Sequence, residues 1–109
     1  MVTPVKGKEE LESHLRSAGK KLVVVEFYAS WCHTCQKMGQ KFEEVKNEFP
    51  DVIFLKVDVD ENVELSQEYE ITNMPTYILF KRNEVVGSFT GNKVETLSKL
   101  ITQKLLGQN

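Results

Sequence analysis

The feature that most limits the possible folds is the alternation of strand-like and helical patterns along the whole chain. The run "KLVVVEFYA" is β-branched and has no polar alternation until Glu26, which predicts a strand covered on both faces. From Cys32 to Phe49, apolar residues recur at steps of three and four, which predicts an amphipathic helix. The complete order is β-α-β-α-β-α-β-β-α. It predicts an α/β fold in which four helices flank a five-stranded mixed sheet.

The remaining elements follow from shorter patterns. A short extended start is followed by a helix, "KEELESHLRSAG", that we expect to end at Gly19. The strand "VIFLKVDVD" precedes a short helix, "ENVELSQEYE", with Asp60 as its N-cap. Two strands are expected to join at Arg82-Asn83, where Asn tolerates positive φ. The closing helix carries one apolar face, formed by Val94, Leu97, Ile101 and Leu105.

The length and net charge of the chain limit the number of domains it can form and the kinds of partner it can attract. A chain of 109 residues has room for one domain, which we expect to span residues 1–109. A net charge of -2 gives no long-range attraction to nucleic acid or to an anionic membrane. No apolar run approaches the roughly 18 residues of a membrane span, and the start of the chain resembles no secretory signal. We therefore expect a cytoplasmic protein with protein or small-molecule partners.

Both cysteines lie at the junction between the central predicted strand and the following helix. Cys32 stands where the helix begins, among unpaired backbone N–H groups and the positive end of the helix dipole, which favour a thiolate. Cys35 falls one turn later, on the apolar stripe, and should be shielded from solvent. This spacing predicts that Cys32 attacks a substrate disulfide and that Cys35 then resolves the mixed disulfide.

Two other interpretations of the cysteines remain open at this stage. A structural zinc site needs about four ligands, and only His14 and His33 could join the two thiols, so we expect no metal. The pair could also be buried and chemically inert, although their position at a strand-to-helix junction makes this less favoured.

Four segments, in order and at matching spacing, resemble the thioredoxin family over nearly the whole chain: "VVVEFYASWCHTC", "VIFLKVDVDEN", "MPTYILFK" and "TGN". Small eukaryotic-type thioredoxins are the most similar, whereas "VEFYA" looks like a catalytic domain of protein disulfide isomerase. The resemblance implies a thioredoxin fold and a protein disulfide reductase with Cys32 as nucleophile and Cys35 as resolving cysteine. It also implies a monomer with no cofactor beyond this cysteine pair, which receives electrons from NADPH through thioredoxin reductase.

The same resemblance implies a set of substrate-binding residues around the thiols. Pro75 matches the proline that is cis in this fold, and the backbone of Met74 would pair with the substrate as an added strand. Thr76 follows them, Trp31 flanks the active site, and Gly91 keeps the neighbouring groove wall open. An ordinary turn before a strand remains the alternative for "NMPT", and simple packing remains the alternative for Trp31.

A third group of residues is expected to tune the chemistry. Glu26 occupies the position of a buried aspartate in thioredoxins and of a glutamate in disulfide isomerases. Burial should raise its pKa, so that it could take a proton from Cys35 near neutral pH. Lys56 resembles the family's partner for this acid, and a structural ion pair is the alternative role. His33 and Thr34 replace the family's Gly-Pro, and we expect them to shift the redox potential.

Three functions are therefore compatible with the sequence. The first is a protein disulfide reductase. The second is a disulfide oxidase or isomerase of the protein disulfide isomerase type. The third, from a different class, is a redox-poised module that binds client proteins with little turnover.

Overall fold

The computed structural model describes residues 1–107, which form five strands and four helices in the predicted order. The strands are β1 (Thr3–Pro4), β2 (Val23–Tyr28), β3 (Ile53–Asp58), β4 (Thr76–Lys81) and β5 (Glu84–Thr90). The helices are α1 (Lys8–Ser17), α2 (His33–Glu48), α3 (Val63–Glu68) and α4 (Val94–Leu105). None of the helices within residues 1–107 combines the length and the apolar character that a membrane crossing requires.

The five strands form one mixed sheet in the order β1-β3-β2-β4-β5. β3 pairs in parallel with both β1 and β2, whereas β4 is antiparallel to β2 and to β5. The predicted mixed sheet is confirmed, and the late hairpin supplies its antiparallel edge. β2 lies at the centre and is buried over five of its six residues, as its unbroken apolar run predicted.

Two apolar cores cover the two faces of the sheet. Side chains alternate along a strand, so Val24 and Glu26 of β2 face one side while Val25 and Phe27 face the other. Helices α2 and α4 pack on the first face, and α1 and α3 pack on the second. Glu26 therefore shares its face with α2, the helix that carries the cysteines.

A predicted turn and a predicted helix end are confirmed. Arg82 and Asn83 both have positive φ, of 53° and 68°, and join β4 to β5. Such a turn matches the right-handed twist of the strands that it connects. Gly19 follows α1 with a φ of 59°, as expected for the glycine that ends a helix.

Two details of the helices were predicted wrongly. The residue before α3 is Asn62, not Asp60, because the chain first turns between Asp58 and Asn62. The carboxylate of Asp58 accepts the backbone N–H of Asp60 at 2.9 Å within this turn. Leu105 is 40% exposed, since the buried residues of α4 are Leu97 and Ile101 and the helix ends one turn later.

Candidate active site

Cys32 is the N-cap of α2, at the carboxyl end of the central strand. Its backbone is extended, with φ of -86° and ψ of 111°, and its Sγ accepts the N–H of Cys35 at 3.2 Å. The same sulfur lies 3.9 Å from the carbonyl oxygen of Met74. Cys32 is partly exposed and both thiols are free. A partly exposed sulfur held against a helix N-terminus is arranged to react with an incoming disulfide.

Cys35 is shielded, as predicted, with 4% of its surface exposed. Burial raises the pKa of the Cys35 thiol to about 12, and the hydrogen bond with Cys32 adds to this effect. The carboxyl group of Glu26 raises it further, whereas a backbone hydrogen bond from Ala29 lowers it. Cys35 is therefore a thiol at neutral pH, and it must lose a proton before it can act as a nucleophile.

The segment "NMPT" lies beside the exposed thiol. The Met74–Pro75 peptide bond is cis, as the resemblance implied. The carbonyl oxygen of Pro75 accepts the N–H of Gly91 at 3.2 Å, and the hydroxyls of Thr76 and Thr90 are 2.9 Å apart. These contacts bring four of the five predicted substrate-binding residues together.

The backbone conformation at position 91 requires glycine more than the surrounding space does. Its φ is 140°, a conformation that other residues rarely adopt. A Cβ at this position would lie 3.5 Å from the ring of Phe89, which is an ordinary contact distance.

Trp31 does not pack in the core, because 67% of its surface is exposed. Its indole Nε1 donates a hydrogen bond of 2.8 Å to the carboxylate of Asp60. Sequence reasoning had assigned Asp60 only a capping role. This contact could have been predicted from the parallel pairing of β2 and β3, because that pairing brings the segments after both strands to one edge of the sheet.

Glu26, in the central strand, is a buried acid with 3% of its residue surface exposed. Burial raises its pKa to about 7, with a smaller contribution from Glu43. The hydroxyl of Tyr77 donates a hydrogen bond of 2.7 Å to Oε2 of Glu26 and opposes this rise, as does the charge of Lys56. Glu26 can therefore both take up and release a proton near neutral pH.

Lys56 lies opposite Glu26 in the parallel register of β2 and β3, but no salt bridge joins them within the described part of the chain. The Lys56 ammonium lies 5.9 Å from the ring centroid of Tyr28 instead. The two groups therefore form no direct ion pair there, although the charge of Lys56 still acts on Glu26, and the role of Lys56 stays a prediction. The direct partner of the acid is Tyr77, which sequence reasoning missed although the antiparallel register of β2 and β4 places the two side chains opposite each other.

A cleft connects the buried acid to the buried thiol. Its volume is about 160 Å³, and its lining includes Glu26, Cys35 and Lys56. A neighbouring cleft of about 250 Å³ shares Glu26 and Lys56 and adds Glu43. The cleft that both Glu26 and Cys35 line is larger than one water molecule needs, so it has room for water between the carboxyl and the thiol.

The two residues between the cysteines begin α2. His33 is exposed, Thr34 is partly exposed, and neither side chain forms a hydrogen bond with Cys32 in residues 1–107. Their effect on redox chemistry stays a prediction. Over the same residues, no three His, Cys, Asp or Glu side chains cluster in a way that could hold a metal ion.

Comparison with known proteins agrees with this geometry. The family model described as thioredoxin matches residues 2–103. The chain is 45% identical over 89 residues to a thioredoxin of Geodia cydonium, covering 82% of this chain and 84% of that protein. It is 44% identical over 103 residues to thioredoxin domain-containing protein 2 of Rattus norvegicus, covering 94% of this chain. It spans only 19% of the rat protein's length.

Solved structures show the same similarity. The thioredoxin of Fasciola hepatica superposes with a TM-score of 0.91 at 34% identity, covering 94% of this chain and 98% of that one. A chain from the complex of ferredoxin:thioredoxin reductase with thioredoxin f2 gives a TM-score of 0.90 at 34% identity, covering 94% of both chains.

Proposed function

Because the chain belongs to the thioredoxin family and is a thiol–disulfide oxidoreductase domain, we propose that it works as a protein disulfide reductase. One observation carries the proposal. The partly exposed Cys32 caps a helix, and the buried Cys35 lies one turn behind it with its N–H on the Cys32 sulfur.

The first step is attack by Cys32. Its thiolate forms a bond to one sulfur of the client disulfide, the client's own S–S bond breaks, and the other client sulfur leaves as a thiolate that takes up a proton. The client segment would add to the protein as a strand against the backbone of Met74. Trp31, Pro75, Thr76 and Gly91 would flank this segment around the exposed sulfur.

The second step resolves the mixed disulfide. Cys35 gives its proton to Glu26 through the water-accessible cleft, and its sulfur attacks the sulfur of Cys32. The bond between Cys32 and the client breaks, the Cys32–Cys35 disulfide forms, and the client leaves with two electrons more than it brought. The positive charge of Lys56 favours ionised Glu26 and so supports this proton transfer.

The oxidised protein must then be reduced again. We expect electrons from NADPH through thioredoxin reductase, with the cysteine pair as the only redox group. A thioredoxin f2 in complex with a ferredoxin:thioredoxin reductase supports a reductase as partner, but it does not bear on NADPH as the electron source. The corresponding setting is a monomer in the cytoplasm that carries electrons to disulfide-containing proteins.

Insulin reduction tests the proposal. With catalytic amounts of this protein, thioredoxin reductase and NADPH, we expect repeated turnover, measured as NADPH oxidation and precipitation of the insulin B chain. The matched control is the Cys32→Ser/Cys35→Ser double variant, which should show none. Turnover with glutathione alone would favour the disulfide isomerase type of function, and binding without any turnover would favour a client-binding module.

A further inference from the structure

Tyr77 is a polar residue in the middle of the apolar strand β4. Its side chain is fully buried, and its ring lies 5.0 Å from that of Phe42 and 6.2 Å from that of Phe89. Packing alone would be satisfied by phenylalanine. The hydroxyl instead donates a hydrogen bond of 2.7 Å to Oε2 of Glu26, its neighbour in the antiparallel register.

Several groups surround the Glu26 carboxyl, but they act on it in different ways. Lys56 of β3 and Glu43 and Cys35 of α2 influence it through their charge or line its clefts. In residues 1–107, Tyr77 is the residue that forms a side-chain hydrogen bond with it, through Oε2. No fully buried side-chain oxygen there lacks a hydrogen-bond partner, so Oε1, which accepts no hydrogen bond, keeps some accessible surface. Glu26 lines both clefts, and we place Oε1 on that side of the carboxyl group.

We propose that Tyr77 is a positioning residue, whose hydroxyl holds Oε2 of Glu26 so that Oε1 faces the cleft and receives the proton of Cys35. This inference rests on the proposed function, because it assigns a task to Tyr77 within the resolution step. Tyr77 does not line either cleft, which is consistent with its approach from the opposite side of the carboxyl group.

Two electrostatic effects agree with this geometry. Burial and the nearby carboxyl raise the pKa of Tyr77 far above its ordinary value, so the hydroxyl keeps its proton and remains a donor at every working pH. A hydrogen bond from a neutral donor favours the ionised form of Glu26 and lowers its pKa. Without the hydroxyl, the acid would ionise only at higher pH.

The test compares the wild type with Tyr77→Phe, which removes one oxygen and keeps the ring. An aryl disulfide that releases a coloured thiolate reports both steps, once when Cys32 attacks and again when Cys35 resolves. In Tyr77→Phe, the acid limb of the resolution rate should move upward by about one pH unit. Resolution at pH 7 should slow by about fivefold and match the wild type near pH 9, while the rate of Cys32 attack stays unchanged.

Tyr69→Phe is the matched control, because Tyr69 packs against Phe27 and Phe80 on the other face of the sheet. It should leave the pH profile of resolution unchanged. If Tyr77→Phe also leaves the profile unchanged, or if Tyr69→Phe moves it equally, the positioning role is wrong. Carbon-13 NMR titration of the Glu26 carboxyl should show the same upward displacement in Tyr77→Phe.

Variants that carry Glu26→Gln distinguish the positioning role of Tyr77 from the proposed reductase function on which it rests. If Tyr77 acts through Glu26, adding Tyr77→Phe to Glu26→Gln should change the resolution rate no further. A second, equal loss in the double variant would contradict the inference and leave the exchange chemistry intact. If the Glu26→Gln variant resolves the mixed disulfide at the wild-type rate, Glu26 does not accept the proton of Cys35. The positioning role of Tyr77 is then also wrong. Absence of the second coloured thiolate in the wild type would instead overturn the function.

Discussion

A carboxyl group in the central strand must give up its hydration whenever it is ionised. At low pH Glu26 is neutral in the folded state, so its burial costs little desolvation free energy. The pKa is about 7 in the folded protein and 4.5 is its ordinary value, so between these pH values the unfolded chain loses a proton that the folded protein retains. Stability therefore falls as the pH rises through this window, and it stays lower above pH 7.

Glu26→Gln should abolish this pH dependence. At about 1.4 kcal/mol per pH unit, the wild type should lose about 3 kcal/mol between pH 4 and pH 8 that the variant keeps. The free energy of unfolding, measured by urea denaturation at pH 4, 6 and 8, gives the comparison directly. The variant should become progressively more stable relative to the wild type as the pH rises.

Glu44→Gln provides the control for this measurement, because Glu44 is an exposed residue of the same charge on α2. It should follow the wild-type pH dependence. If the free energies of unfolding of Glu26→Gln and the wild type differ by the same amount at all three pH values, the pKa of Glu26 is not raised in the folded protein.

At the scale of the element, the first turn of α2 sets the environment of the reactive sulfur. Cys32 caps the helix, and the backbone N–H groups that follow it have no partner inside the helix. Thr34 keeps an N–H that proline would lack, and the exposed His33 can bring a positive charge or a donor close to the helix start. We expect both features to favour the reduced protein, because a positive charge or an N–H donor near the sulfur stabilises negative charge on it.

The double variant His33→Gly/Thr34→Pro should consequently be more reducing than the wild type. If the two residues together stabilise the reduced form by about 1.4 kcal/mol, the potential of the variant should be lower by about 30 mV. Equilibration of both proteins in glutathione buffers, with the oxidised fraction read by mass spectrometry, measures the difference. An equal or higher potential in the variant would show that these residues do not tune the pair.

At the scale of the whole molecule, most of the architecture follows from patterns that the sequence displays locally. The apolar run of β2, the stripe of α2 and the Arg82-Asn83 turn each depend on neighbouring residues, and the structure confirms them. Two side-chain hydrogen bonds between separate elements were not predicted. They are the Tyr77–Glu26 and Trp31–Asp60 hydrogen bonds, and each joins two segments distant in sequence through the register of the sheet.

Helix ends were also harder to predict than helix centres. Asp60 is a favourable N-cap residue, but the turn after β3 uses it to bind Trp31 and leaves Asn62 to precede α3. The apolar periodicity of α4 continues to Leu105, although the residues that the helix buries end at Ile101. Local propensity cannot predict where α3 begins or which residue of α4 is the last to be buried, because tertiary contacts decide both.

The central claim is the division of labour between an attacking Cys32 and a resolving Cys35, and capture of a client tests it most directly. Cys35→Ser and Cys32→Ser variants are incubated with insulin, and the products are examined by mass spectrometry without reductant. Cys35→Ser should accumulate a stable mixed disulfide between Cys32 and an insulin chain, because no second thiol can release it. Cys32→Ser should remain free, since the remaining thiol is buried and protonated. Capture by Cys32→Ser in place of Cys35→Ser would reverse the assignment and contradict the mechanism.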